Sequence, residues 1–333
     1  MRHQAGSTPK EPRSESRPLR FCFLERGLIM SFRYFVLLTP WLIFSLGMAG
    51  SASDLSEKKA GPVYRDLAYA AGGHERHKLD LYLPAEGENF PLIVYIHGGA
   101  FLAGSKEQGV PLEYVRDGYA VASINYRLSQ HAKFPAQVED CKAAVRWLRC
   151  HAGDYRIDPN HIAAWGPSAG GYLAAMLGVT GDTKEFDKGE HLEFSSAVQA
   201  VVDYFGPTDF LQMDDHRLPG GMVHNSPDSP ASLLIGGPIQ ENKDKVQKAN
   251  PITYVSSKDP PFLVVHGDQD PVVPYHQSIL LDEALRQAGV PVIFYTVKGG
   301  GHGMFRDPNV PRLTREFLEK HLKGKSAASE KPK

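Results

Sequence analysis

The sequence predicts an α/β fold with a mostly parallel central sheet flanked by helices. Short, near-continuous apolar runs such as 91–97 and 119–125 are typical of strands buried on both faces. Helical patterns lie between these runs, and strands that alternate with helices form a mostly parallel sheet covered on both sides. The chain has 333 residues and 42% hydrophobic content, which suffices for one large α/β domain or two smaller ones.

Hydrophobic periodicity places the individual elements. Residues 78–83 alternate between apolar and polar, which predicts a half-exposed strand. The helix that opens at Pro135 has proline in its first turn and apolar residues at helical spacing. The predicted strands cover 78–83, 91–97, 119–125, 162–165, 198–205, 261–266 and 290–297. The other predicted helices cover 171–178, 275–288 and 311–322, and the polar tail 323–333 is expected to be disordered.

The N-terminal region predicts export. An apolar stretch at 34–46 follows a short positive region and precedes small residues, which is typical of a secretory signal peptide at 30–52. We expect cleavage just after Ala52, with Ser51 as the alternative, and a secreted or periplasmic product. The stretch is short for a bilayer span and no cysteine lies near the cleavage site, so no stable membrane anchor is expected. We interpret 1–29 as an over-extended N-terminus, with Met30 as the true start.

Charge and cysteine content narrow the function. Lys plus Arg number 37 and Asp plus Glu 38, so nothing indicates nucleic acid or an anionic membrane as a partner. Cys22 is lost on processing. Cys141 and Cys150 lie nine residues apart in one predicted helix, about 13 Å at the helical rise, which excludes a disulfide between them. The three cysteines have no metal-ligand spacing, so no zinc motif is predicted.

A serine lies at the junction of a predicted strand and helix. The segment 166–170 reads Gly-Pro-Ser-Ala-Gly, with an apolar run before it and a small-residue helical run after it. This context is typical of a nucleophile elbow, a strained turn that lifts a serine hydroxyl clear of the sheet. Ser168 is therefore the candidate nucleophile. The alternative interpretation is a glycine-rich helix N-terminus.

Candidate partners for the serine follow later in the chain. His302 lies in a glycine-rich loop after the last predicted strand and is the candidate base, although a surface histidine is the alternative. Asp270 follows a buried strand and is the candidate that orients the base, because sites in open α/β sheets lie at the carboxyl ends of strands. Asp268 is the rival, and we expect it to bond loop backbone amides instead.

An acyl-transfer site also needs donors for the oxyanion. The loop after an early strand reads His-Gly-Gly-Ala-Phe at 97–101, and its glycines let backbone amides turn inward. We expect the amides of Gly99 and Ala100 to donate, together with that of Ala169 directly after the serine. His97 is expected to have a structural role, and the same is expected of His266.

These motifs together resemble the α/β-hydrolase esterases, in particular the BD-FAE-like branch related to hormone-sensitive-lipase-type carboxylesterases. The resemblance covers most of 60–322 and is carried by HGGAF, NYRL, FPAQVED, GPSAGG, HGDQDPVVP and GGGHGMF. Ala100 and Pro167 depart from the lipase-type pattern, which has a third glycine and usually an aspartate there. The acid segment is more similar to the prolyl-oligopeptidase type.

The resemblance implies an α/β-hydrolase catalytic domain at 60–322 that hydrolyses esters. Acetyl or feruloyl groups on plant polysaccharide are among the implied substrates, and the chemistry requires no metal or cofactor. The segment 207–258 is rich in Pro, Gly and Asp, and long loops in compact domains are usually functional. We interpret it as a small partial cap over the site. The alternative is a surface excursion without substrate contact.

Three functions compete. The favoured one is a secreted serine carboxylesterase acting on short-chain or carbohydrate-linked esters, so that its partner is a small-molecule or polysaccharide-linked ester. The second is a prolyl-oligopeptidase-type serine peptidase, a family that usually carries a large gating domain for which this chain has no room. The third is a non-catalytic hydrolase-fold binding protein, a class that typically lacks a triad member, whereas Ser168, Asp270 and His302 are all present.

Overall fold

The computed structural model of the protein describes residues 61–303 and 305–324. The predicted signal peptide at 30–52, the N-terminal segment 1–29 and Cys22 lie outside the described residues, as do residues 325–333 of the predicted disordered tail. Export therefore stays a prediction. Among the helices that the structure describes, none has both the length and the apolar character needed to cross a membrane.

Strands and helices alternate along the described chain. The strands are β1 Val63–Ala68, β2 Lys78–Tyr82, β3 Phe90–Ile96, β4 Ala120–Ile124, β5 Ile157–Pro167, β6 Ala200–Tyr204, β7 Phe262–Gly267 and β8 Val292–Val297. The α-helices are α1 Glu113–Arg116, α2 Ala136–Cys150, α3 Ala169–Val179, α4 Pro230–Ile235, α5 Lys243–Ala249, α6 His276–Gln287 and α7 Asn309–Leu322. Short 3₁₀ turns cover Phe210–Gln212, Asp214–His216, Ile239–Glu241 and Pro251–Thr253.

The strands form one sheet in the order β1-β2-β4-β3-β5-β6-β7-β8. Strand β2 pairs antiparallel with β1 and β4, and all pairs from β4-β3 to β7-β8 are parallel. Helices cover the sheet, and buried apolar clusters lie on both of its sides. The predicted fold class, a mostly parallel sheet flanked by helices, is confirmed.

Strand β2 corrects one expectation. Its alternating pattern predicted a half-exposed strand, yet every residue from Leu79 to Tyr82 is buried. The face that carries the polar residue is covered by long basic side chains that lie over the sheet. The polar member, Asp80, is buried beside the Lys106 ammonium at 2.8 Å and the Arg65 guanidinium at 3.0 Å. A paired carboxylate thus stands where the pattern indicated solvent.

The order of strands fixes where a site can form. From β3 the chain builds the sheet in both directions, since β4 lies on one side of β3 and β5 on the other. Ligands in open α/β sheets bind at such a switch point, outside the carboxyl ends of the strands. Gly98 follows the end of β3 and Ser168 follows the end of β5, so the two predicted motifs lie at the switch point.

The segment 207–258, predicted as a partial cap, carries α4, α5 and the four 3₁₀ turns. Buried polar bonds tie it to the main domain. Tyr172 donates its hydroxyl to the carbonyl of Ala249 at 2.8 Å, and the amide of Thr208 donates to the side chain of Gln277 at 2.7 Å. The segment is therefore packed on the domain, and its contact with a substrate stays a prediction.

Candidate active site

Ser168 occupies a strained turn between β5 and α3. Its backbone has φ 55° and ψ −123°, a left-handed conformation that residues other than glycine rarely adopt. The Ser168 amide donates to the carbonyl of Tyr204 at 2.8 Å, which ties the turn to β6. A Cβ at Gly166 would lie 2.5 Å from the carbonyl of Ile96, so only glycine fits there. The turn holds the serine hydroxyl at the carboxyl edge of the sheet.

Three predicted side chains meet at this edge. The Nε2 atom of His302 lies 3.0 Å from Ser168 Oγ, and its Nδ1 atom lies 2.7 Å from Asp270 Oδ2. Because the carboxylate can only accept, Nδ1 carries the proton and Nε2 accepts from the serine hydroxyl. Asp270 is fully buried and the His302 side chain is 20% exposed, so the base faces solvent while its partner does not.

Asp270 is held as an anion by four donors. Its Oδ1 accepts the amides of Val272 at 2.7 Å and Val273 at 3.0 Å, while Oδ2 accepts from His266 at 3.1 Å as well as from His302. Burial alone would raise the pKa of Asp270, but the hydrogen bonds from the two histidines hold it below the ordinary aspartate value. The carboxylate therefore stays ionised throughout the neutral range.

The rival carboxylate points elsewhere. Asp268 Oδ1 accepts the amide of Gly299 at 2.7 Å, and its Oδ2 lies 3.3 Å from the ammonium of Lys298. The hydrogen bond from the Gly299 amide lowers the pKa of Asp268 below the ordinary aspartate value. Asp268 thus anchors the loop that carries His302, and Asp270 is the one that contacts the imidazole.

The segment 97–101 lies directly against the serine turn. A Cβ on Gly98 would lie 2.9 Å from the carbonyl of Pro167 and 3.5 Å from the Ser168 Cβ. Gly99 has φ +116°, and its carbonyl accepts the amides of two later residues in a tight turn. Within the described chain, no backbone hydrogen bond occupies the amides of Gly99 and Ala100, or that of Ala169 at the start of α3. The predicted donors are thus amides without a backbone partner in segments that adjoin the serine turn.

Arg76 supports this segment and was not found from the sequence. Its guanidinium donates to His97 Nε2 at 3.0 Å, to the carbonyl of Gly104 at 2.9 Å and to that of Tyr126 at 2.7 Å. Burial, with a smaller contribution from the charge of Arg76, lowers the pKa of His97 to about 4. The neutral ring accepts from Arg76 and donates Nδ1–H to the carbonyl of Gly98 at 2.7 Å. No motif surrounds Arg76, so no sequence signal indicated it.

A small apolar cavity of about 40 Å³ adjoins the serine. For comparison, one water molecule needs roughly 10–15 Å³ on the same measure. The segment 207–258 contributes over half of its lining, including Phe210, Met213 and Met222. The full lining is Ala100, Phe101, Ser168, Ala169, Pro207, Phe210, Met213, Met222, His224, Pro230, Ala231, Val272 and Val273. The space accommodates a small apolar group next to the hydroxyl.

The sheet is mostly parallel, its fifth strand ends in a strained serine turn, and a loop after the last strand carries a histidine. These features define the α/β-hydrolase class. A solved structure described as a truncated form of a carbohydrate esterase from gut microbiota superposes with a TM-score of 0.74 at 35% identity, covering 80% of this chain and 99% of that one. The chain belongs to the BD-FAE family, whose model matches residues 79–285.

Two further relatives are similar over most of the domain. Esterase LipQ of Mycobacterium tuberculosis is 32% identical over 72% of this chain and 56% of its own length. The bifunctional GH43-CE protein of Bacteroides eggerthii is 38% identical with a TM-score of 0.71, over 78% of this chain and 38% of that structure. The chain spans about half the length of the curated relatives it matches.

Proposed function

We propose that the protein is a serine carboxylic ester hydrolase that acts through an acyl-enzyme. The observation that carries this proposal is the continuous hydrogen-bond chain from Ser168 Oγ through His302 to Asp270, with distances of 3.0 and 2.7 Å. Acyl transfer by a serine requires a base within hydrogen-bond reach of the nucleophile and a carboxylate that orients the base. The esterase names of LipQ and of the gut carbohydrate esterase support the same reaction class.

The proposed reaction has two halves. Ser168 Oγ attacks the ester carbonyl while His302 Nε2 takes the hydroxyl proton, and the buried Asp270 carboxylate stabilises the imidazolium that forms. The tetrahedral intermediate collapses, the C–O bond to the alcohol breaks, and His302 returns the proton to the departing alcohol. Water then attacks the acyl-enzyme with His302 as base, which releases the acid and restores the serine.

The proposed oxyanion site consists of backbone amides. Gly99 and Ala100 belong to the segment that adjoins the serine turn, Ala169 directly follows Ser168, and no other backbone group in the described chain occupies their amides. An amide aimed at the developing charge is worth roughly 10²–10³ in rate. These donors stabilise the negatively charged oxygen of the tetrahedral intermediate in both halves of the reaction. An acyl transfer without a metal requires such donors.

For substrate, we propose short acyl esters, with acetyl groups on carbohydrate as the favoured class. The cavity of about 40 Å³ beside Ser168 is small, which supports a short acyl group over an aromatic acid. The carbohydrate esterase relative, at 35% identity over nearly its whole length, supports a sugar as the alcohol part. Of the acyl groups expected from the sequence, the cavity favours acetyl over feruloyl.

Rates on nitrophenyl esters of increasing acyl length test the function and the cavity together. We expect acetate to be the best substrate and octanoate to be poor, with acetylated xylan deacetylated and methyl ferulate left intact. A dipeptide anilide is expected to show no turnover. Faster cleavage of the anilide than of the acetate ester would favour the peptidase, and no turnover of either would favour a binding protein.

Met213→Ala is expected to widen acyl preference. Met213 is 2% exposed and lines the cavity, so its truncation leaves space beside Ser168 for additional methylenes. One methylene in an apolar pocket is worth about 1–3 kcal/mol, so the butyrate-to-acetate ratio of kcat/KM should rise about tenfold. Met222→Ala is the matched control, because Met222 lines the same cavity but is 37% exposed at its rim. Equal shifts in both variants would contradict the role given to the cavity.

Arg76→Ala is expected to lower kcat with little change in KM. The guanidinium makes no hydrogen bond to Ser168 in the described chain but fixes His97 and the carbonyl of Gly104, and thereby the amides of the oxyanion segment. Displacing an oxyanion donor should cost up to about 10² in kcat. Arg65→Ala serves as control, since Arg65 is an exposed cation bonded to Asp80 and makes no hydrogen bond to residues 97–101 in the described chain. A rise in KM at unchanged kcat would show that Arg76 acts on substrate binding instead.

A further inference from the structure

Three metal-binding side chains converge at the C-terminal end of α2. Cys150 ends this helix, His151 follows it, and His191 comes from the excursion 181–197 that joins α3 to β6. One ligand atom from each residue, a sulfur and two ring nitrogens, lies within 4.8 Å of the other two. All three residues are half-buried, so the cluster is accessible to an ion from solvent.

The two imidazoles are prepared for coordination. His151 donates Nδ1–H to the carbonyl of Trp147 at 2.9 Å, so the neutral ring keeps its lone pair on Nε2. A backbone carbonyl on the far nitrogen is the arrangement that orients metal-binding histidines. The ring also stacks on Trp147 at 4.2 Å. Within the described chain, the ring of His191 makes aromatic contacts but no hydrogen bond, so its nitrogens are available.

A second cluster of possible metal ligands has hydrogen bonds that prevent its histidines from binding a metal. His74, Glu75 and His131 also bring their ligand atoms within 4.8 Å of one another. However, His74 Nδ1 accepts the amide of Arg76 at 3.2 Å, and His131 Nδ1 accepts the amide of Leu128 at 3.2 Å. Each neutral ring must then carry its proton on Nε2, which leaves no lone pair for a metal.

The excursion that carries His191 is fixed to α2. Arg146, fully buried in α2, pairs with Asp187 at 3.0 Å and donates to the carbonyl of Glu190 at 3.2 Å. Arg149 donates to the carbonyl of Ala197 at 2.8 Å. The residue directly before His191 is therefore held by the helix whose C-terminal end carries the other two ligands. Ligands on such connected supports lose little freedom when they close on an ion.

We propose that Cys150, His151 and His191 bind one divalent transition-metal ion of the zinc type. Thiolate and imidazole are the ligands that zinc prefers, and three protein ligands leave a fourth tetrahedral position for water. Binding forms one sulfur–metal and two nitrogen–metal bonds and releases the Cys150 thiol proton to the buffer. The site binds a metal that the ester chemistry does not use.

The location gives the ion a structural role. Cys150 lies shortly before Ile157, where β5 begins, whereas Ser168 follows the opposite end of β5. The length of the strand therefore separates the metal site from the serine. An ion here joins α2 to the excursion 181–197 and stabilises their contact. This inference is independent of the proposed esterase function.

Cobalt titration of the reduced, metal-free protein tests the site. We expect one equivalent of Co²⁺ to produce a thiolate-to-cobalt charge-transfer band in the near ultraviolet together with tetrahedral visible bands, and Zn²⁺ to displace both. Zinc is expected to raise Tm and to leave ester hydrolysis unchanged. Cys150→Ser should abolish the charge-transfer band. His191→Ala should weaken zinc binding at least about tenfold, because even the loss of a residue that hydrogen-bonds to a metal ligand has an effect of this size.

His161→Ala is the matched control. This histidine is exposed and its Nδ1 is paired with Asp158 at 2.7 Å, so the variant should bind cobalt like the unsubstituted protein. The proposal is overturned if the unsubstituted protein shows no charge-transfer band at equimolar cobalt, a result that depends on no variant folding. It is also overturned if Cys150→Ser, shown to be folded by its circular dichroism, keeps the band.

Discussion

Ser168→Ala is expected to abolish ester hydrolysis and covalent labelling by an organophosphonate. The variant removes the Oγ atom, which lies 3.0 Å from His302 Nε2. Loss of a serine nucleophile typically lowers kcat by about 10⁶, with the residual rate coming from oxyanion donors and substrate binding. The measurement is the burst of nitrophenol on the acetate ester, together with the mass of the protein after phosphonate treatment.

The fold of this variant should be unchanged. The Ser168 amide bonds Tyr204 and its carbonyl accepts from Tyr172 at 3.0 Å, and both bonds involve backbone atoms of residue 168 that alanine retains. Alanine also keeps the Cβ, so the left-handed turn is no more strained than before. An unchanged Tm therefore shows that activity was lost through the hydroxyl alone. Phosphonate labelling that persists at an unchanged Tm would place the nucleophile elsewhere.

Asp270→Asn is expected to lower kcat by about 10⁴, as loss of the correct histidine tautomer does in related chemistry. In the native site, Oδ1 accepts two backbone amides, those of Val272 and Val273. The asparagine oxygen will keep those bonds, so its NH₂ group will face His302 Nδ1. The imidazole must then carry its proton on Nε2, where it cannot accept the proton of Ser168.

Asp268→Asn is the matched control, two residues away on the same loop. Its side chain accepts the Gly299 amide and does not contact His302, and an asparagine oxygen can make the same bond. We expect less than about a tenfold loss of kcat, in line with a residue that acts only by anchoring a loop. A larger loss at Asp268 than at Asp270, measured as kcat with both variants folded, would reverse the assignment.

The local patterns of the sequence predicted most elements of the sheet. Strands such as β3 and β7 are continuous apolar runs because parallel strands are covered on both faces, and that requirement is visible in the residues themselves. Strand β1 was missed because it is an exposed edge strand with little apolar pattern. Strand β5 begins at Ile157, earlier than predicted, because the partly or fully exposed residues 158–161 interrupt its apolar pattern.

The serine turn was visible for a similar reason. A strained serine conformation needs neighbours without side chains, so Gly166 and Gly170 mark the site in the sequence itself. The sequence also placed His302 and Asp270 after strands, where a parallel sheet collects its functional loops. It favoured Asp270 over Asp268, but both follow the same strand, and they differ only in where the loop directs each carboxylate.

By itself, then, the sequence determined the α/β class, the position of the serine turn and the loops that could serve it, because these depend on contacts between neighbours in the chain. Only the tertiary structure decided which carboxylate meets His302, how Arg76 supports the oxyanion segment, and that His191 lies beside Cys150. Those contacts join residues that strand order and loop packing bring together. Neither periodicity nor motif spacing encodes that order, since each pattern reports only its own segment.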